Sequence, residues 1–107
     1  MSDDVLVQLA ATIGARRSAP PDSSYTRQLL DAGPVRCAKK LGEEAIVTVL
    51  AGAGESDEHL KAVAADLLDH LLVLLESRGV AIADVLGVLA KRQGTSGLKE
   101  KAERPNR

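Results

Sequence analysis

Residues 55–79 read ESDEHLKAVAADLLDHLLVLLESRG, and the reading of this stretch decides the fold. At about 100° per residue, Leu60, Ala64, Leu67, Leu68, Leu71, Leu72, Leu74 and Leu75 fall on one broad arc. His59, Asp66, Asp69 and His70 gather on the other side, so the spacing predicts an amphipathic helix. Ser56 suits the N-cap, Asp57 and Glu58 suit the positive end of the helix dipole, and Gly79 suits a C-terminal stop. Between Leu71 and Leu75 the helix is apolar nearly all round, more than the surface helix of a small monomer can hide. The expectation is a helix packed on several sides, with a second copy of the chain supplying part of the cover.

The rest of the composition agrees with a helical class. Of 107 residues 45% are hydrophobic, yet Tyr25 is the single aromatic. Leu, Ala, Glu and Lys favour helices, whereas a β-sandwich draws on aromatic and β-branched residues. A net charge of −1 leaves no electrostatic footprint for nucleic acid. Leu71 to Leu75 is far short of the roughly 20 residues that span a bilayer. The acidic start, Met1 to Asp4, has the opposite charge to a secretory leader. A soluble, cytoplasmic protein is expected, with no membrane or nucleic-acid partner. Cys37 is alone, so it forms no intrachain disulfide and reads as a small buried apolar residue.

Outward from the central helix, the chain divides at its prolines and glycines. Val5, Leu6, Leu9, Ala10 and Ile13 repeat at helical spacing from about Asp3 to Arg17. Pro20 and Pro21 exclude a helix from Ser18 to Ser24. Ser23 or Ser24 caps a short helix over Tyr25 to Asp31, and Gly33 and Pro34 end it and start a third that runs to about Ala51. The predicted core stripe of that third helix is Val35, Ala38, Leu41, Ala45, Ile46, Val49 and Leu50. Gly52 to Glu55 reads as a turn. A last helix, near Ile82 to Lys91, presents Val85, Leu86 and Leu89. Residues 1–92 therefore read as one all-α domain of about five helices, and 93–107, with only Leu98 and Ala102 to bury, as a mobile charged tail.

Lys39, Lys40, Glu43 and Glu44 form a charged strip on the third helix, and Asp66, Asp69 and His70 form one on the central helix. Carboxylates on facing helices are how a bundle builds a site for a hard cation such as Mg²⁺, and neighbouring lysines suit a polyphosphate. Two solvated faces would produce the same spacing. Neither His59 nor His70 has a ligand motif behind it, and both read as structural or solvated. Tyr25 reads either as a base-stacking residue or as a cap on the core, the core reading being preferred.

Four runs together are more specific than these strips: SSYTRQLL at 23–30, AKKLGEEA at 38–45, AADLLDHLLVLLESRGV at 64–80 and ADVLGVLAKR at 83–92. With SGLKEKA at 96–102, they closely resemble the phosphoribosyl-ATP pyrophosphatases of histidine biosynthesis, over nearly the whole chain. The resemblance implies a MazG-like all-α pyrophosphohydrolase fold and a homodimer built on the central helices. It also implies Mg²⁺-dependent hydrolysis of a nucleotide, phosphoribosyl-ATP, to phosphoribosyl-AMP and pyrophosphate. In that family an ExxE pair and an ExxD pair hold the metal, and carboxylates orient or deprotonate the attacking water.

Carried onto this chain, Glu44 opens ExxE and Asp66 closes ExxD. The partner positions are Val47 and Val63, and Asp69 stands where an aromatic residue is usual. Glu44 and Asp66 are thus the implied metal ligands with Asp69 as a further candidate, Glu43, Glu44 and Asp66 the catalytic acids, and Lys39 and Lys40 the phosphate contacts. Loss of two anionic ligands weakens a hard-cation site, since affinity depends on ligand number and charge. Three explanations stay open. The chain is a weakened or inactive homologue that still binds a nucleotide or a protein; Glu43, Glu44, Asp66 and Asp69 regroup about the ion; or the valines are substitutions on an otherwise ordinary enzyme.

Overall fold

The computed structural model describes residues 4–93, and the regular structure among them is entirely helical. The elements are α1 (Val5–Ala15), α2 (Tyr25–Ala32), α3 (Pro34–Gly54), α4 (Asp57–Ser77) and α5 (Ile82–Arg92), with a 3₁₀ turn at Arg16–Ser18. The expectations for a mobile tail and for the SGLKEKA motif concern residues outside those described, as does the start of the first helix at Asp3.

Local chemistry sets the boundaries. The Asp4, Ser24 and Ser56 side chains accept hydrogen bonds from the backbone N–H of Leu6 at 2.9 Å, Arg27 at 3.1 Å and His59 at 3.2 Å. Each satisfies a donor that the first helical turn leaves free. Pro34 opens α3 where its missing N–H costs nothing, after Gly33 with φ of 99°. Gly79, with φ of 70°, ends α4: its N–H donates to Glu76 O and that of Val80 to Leu75 O at 2.9 Å, the paired bonds of a Schellman stop. The proline segment is held rather than loose, because Arg27 donates to Ala19 O and Gln28 to Pro21 O.

The two 21-residue helices α3 and α4 form an antiparallel hairpin joined only by Glu55 and Ser56. The last turn of α3 differs from the expected turn at 52–55: residues 52–54 stay helical, with Glu55 N–H bonded to Ala51 O at 3.0 Å. Leu60 of α4 packs over Gly52 at ordinary van der Waals distance, 3.8 Å from where a Cβ there would lie. Further along, the Thr48 hydroxyl is directed at both Glu44 O, at 2.8 Å, and Val63 O, at 3.3 Å, and so joins the two helices.

At the far end of the hairpin α1 and α2 close a core of Ile13, Leu29, Leu30, Cys37, Leu72 and Val73. Cys37 is buried as expected, its thiol donating to Leu29 O at 3.2 Å. Arg17 secures the 3₁₀ turn to the end of α4 through the Glu76 carboxylate and backbone carbonyl. Helix α5 packs on α1 and buries no residue fully; Leu89 of its expected apolar face is exposed.

Helix α3 is rolled away from the predicted orientation. Val35, Ile46, Val49 and Leu50, expected in the core, are 85%, 64%, 67% and 60% exposed, and Ala51, outside the expected stripe, is buried on the same helix as Cys37. The cause is that α3 has two non-polar sides, and this chain covers only the one facing α2 and α4. The central helix is also packed on more sides than its leucine arc implies. Val63, at a position where the resemblance implies a carboxylate, is 6% exposed, and Val73 is 1% exposed. No helix among the described residues is long and apolar enough to cross a membrane.

Candidate active site

The antiparallel register brings the two charged strips to one level. Glu44 precedes Thr48 by one helical turn and Asp66 follows Val63 by about one, so the Thr48 to Val63 hydrogen bond puts Glu44 and Asp66 at matching heights on facing helices. Asp66 is exposed, whereas Glu44 keeps only 17% of its side-chain surface. Asp69 and His70 follow on α4, each half-buried.

On α3 the acidic and basic groups are interleaved. The Lys40 ammonium lies 3.4 Å from the Glu44 carboxylate and 3.7 Å from that of Glu43. Hydrogen bonding to Glu44 above all, then the Tyr25 phenol and the charges of Glu44 and Glu43, raise the Lys40 pKa above its ordinary 10.5, against the opposing effect of desolvation. Lys40 is thus a fixed cation. Arg36, Lys39, Lys40, Glu43 and Tyr25 enclose an open recess of about 140 Å³. Arg36, one turn before Lys39 and Lys40, was not singled out in the sequence, although its spacing at i and i+3, i+4 carries the signal. Arg36 and Lys39 have no ion-pair partner among the described residues, which leaves two donors for an incoming anion.

The fit to a divalent cation is poor within one chain. Among the described residues no three of His, Cys, Asp and Glu gather closely enough to hold a metal. Glu43 and Glu44 face Lys40, while Val47 and the buried Val63 occupy positions where the resemblance implies carboxylates. The regrouping of Glu43, Glu44, Asp66 and Asp69 about one ion finds no support in this arrangement.

His70 is distinct from these groups. Its Nδ1 is buried without a hydrogen-bond partner, and its ring meets Tyr25 edge-on, with centroids 6.4 Å apart at 76°. Tyr25 itself is 52% exposed, so the preferred reading of it as a core cap does not hold. It starts α2 and lines the recess, one turn before the buried Leu29 on the same helix.

An all-α hairpin with acids at matched heights and a cationic recess beside them defines a class: small helical proteins whose facing helices offer an anion-binding recess next to carboxylates. The comparisons narrow it. The profile of the Phosphoribosyl-ATP pyrophosphohydrolase family matches residues 6–93, and the chain belongs to that family. It is 54% identical to a Phosphoribosyl-ATP pyrophosphatase of Nitrobacter winogradskyi, over 90% of this chain and 83% of that one. It is 52% identical to one of Ruegeria pomeroyi, covering 94% and 96% of the two chains. Phosphoribosyl-ATP pyrophosphatase 1 of Rhodopseudomonas palustris is 50% identical, over 97% of each.

Proposed function

We propose that this chain hydrolyses phosphoribosyl-ATP to phosphoribosyl-AMP and pyrophosphate in histidine biosynthesis, a reading that the names of its relatives support, and that it does so in the cytoplasm. The observation that carries the reading is the recess of Arg36, Lys39 and Lys40 set beside Glu43 and Glu44. Arg36 and Lys39 bind the polyphosphate, the guanidinium offering paired donors and the ammonium a point charge. Lys40 neutralises charge on the bound phosphates while fixing Glu44. A carboxylate, Glu44 or Asp66, holds a water in line with the α-phosphorus and accepts its proton. The water oxygen bonds to that phosphorus, the bond to the α–β bridging oxygen breaks, and pyrophosphate departs with the electron pair.

Mg²⁺ belongs to this reading as the ion that would neutralise the phosphates, with Glu44 and Asp66 as its remaining holders and Asp69 as an auxiliary. The residues present fit it poorly, so the expected activity is weak. The same observation, valines at 47 and 63, favours a second reading, in which the chain binds nucleotide or a partner protein without turnover. Incubation with phosphoribosyl-ATP and Mg²⁺, followed by phosphorus NMR, separates them. Equimolar pyrophosphate and phosphoribosyl-AMP support hydrolysis, and bound but unchanged nucleotide supports the second reading.

The uncovered face of α3, with Val35, Ile46 and Val49 exposed, supports a homodimer in which a second copy covers it. That contact adds α3 to the central helix as the dimerising surface.

A further inference from the structure

The chain's single aromatic is not in its core. Tyr25 is the first residue of α2, more than half exposed, and forms one wall of the recess whose other walls are Arg36, Lys39, Lys40 and Glu43. An exposed aromatic face beside unpaired cations is how proteins seat a nucleotide, since cations take the phosphates and every base has a π-face to stack. Solvent exposure of a ring this large forgoes burial that the nearby core could have used. His70 is the other half of the arrangement. Its Nδ1 makes no hydrogen bond, and the interaction its ring does make is the edge-on contact with Tyr25 at 6.4 Å. Since α4 holds His70 half-buried, that contact fixes the tilt of an otherwise exposed side chain.

We propose that Tyr25 is the base-recognition residue of this site, stacking a purine whose phosphates lie on Arg36 and Lys39, and that His70 is a positioning residue acting through the Tyr25 ring. The proposal deepens the reading of the recess as a nucleotide-polyphosphate site and rests on it.

The absence of Trp and Phe makes the test direct, because all aromatic emission of the chain comes from Tyr25. Titration of the full chain with ATP is expected to quench that emission, after inner-filter correction against free tyrosine amide, while inorganic tripolyphosphate leaves it nearly unchanged. In calorimetric titrations Tyr25→Ala is expected to weaken ATP binding by between about 5- and 150-fold, the range for one stacked base, and to leave tripolyphosphate binding unchanged. Tyr25→Phe retains ATP binding. His70→Ala weakens ATP binding in the parent but adds nothing in Tyr25→Ala, the coupling expected of a residue acting through another. The proposal is overturned if Tyr25→Ala lowers affinity for both ligands equally or for neither. Its His70 half is overturned if the loss persists in the Tyr25→Ala background. Binding of neither ligand by the parent would instead sink the polyphosphate reading.

Discussion

Val63→Glu places a carboxylate where the family resemblance implies one, and the structure fixes what that should cost. Val63 is 6% exposed, its carbonyl receives the Thr48 hydroxyl at 3.3 Å, and Lys40 on the facing strip is engaged with Glu44 at 3.4 Å. A new carboxylate there is buried without a cation, and an uncompensated buried charge costs about 3–5 kcal/mol. Against a total stability of about 5–15 kcal/mol this is a large fraction. At about 4–8 °C per kcal/mol, the melting temperature should fall by at least about 12 °C in EDTA. Val47→Glu, at 39% exposed, should stay within about 0.5 kcal/mol of the parent. Adding Mg²⁺ should return about 2.7 kcal/mol to the double variant at a hundredfold excess over its dissociation constant, and almost nothing to the parent. Far-UV circular dichroism melts with and without Mg²⁺ provide the assay. The reasoning fails if Val63→Glu melts with the parent in EDTA, or if Mg²⁺ stabilises the parent as much as the double variant.

Other consequences are simpler to read. Because the folded Lys40 pKa lies above 10.5, the stabilisation it contributes is fully present below pH 10.5 and is lost as pH rises through the higher folded value; Glu44→Gln should return the Lys40 side-chain titration, followed by NMR, towards 10.5. Ser24→Ala removes a buried cap that accepts from Arg27 N–H at 3.1 Å, and should cost about 1–2 kcal/mol in thermal or urea unfolding. Ile46→Lys places a charge on the uncovered face of α3, and sedimentation equilibrium should change from twice 11.2 kDa to that of the single chain, with the helical signal retained. A parent already monomeric at micromolar concentration would contradict the dimer proposal.

The helices were legible because their signals are local. Ser24, Ser56, Pro34 and Gly79 act within a turn of themselves, and the structure places them as the sequence implies. Which side of a helix faces the core is not local. Helix α3 has apolar residues on two sides, and the pattern of hydrophobicity cannot say which of them α2 and α4 will occupy, so Val35, Ile46 and Val49 were placed inside although they lie outside. For Val63 the deciding fact is the tight crossing marked by Thr48, which depends on the register of two helices. At the site, Lys39, Lys40, Glu43 and Glu44 were legible as one strip, and the recess joins the first three. Arg36 was missed because it stands two residues before the AKKLGEEA run. Tyr25 was misjudged because a lone aromatic in a small domain is ordinarily worth burying.

The most direct test of the central claim is the rate of pyrophosphate release from phosphoribosyl-ATP, under saturating Mg²⁺, by the parent, by Glu44→Gln and by the Val47→Glu, Val63→Glu double variant. The account predicts slow but measurable release by the parent, loss of it in Glu44→Gln and a faster rate in the double variant. Silence in all three, or a parent rate indifferent to Glu44, would contradict it.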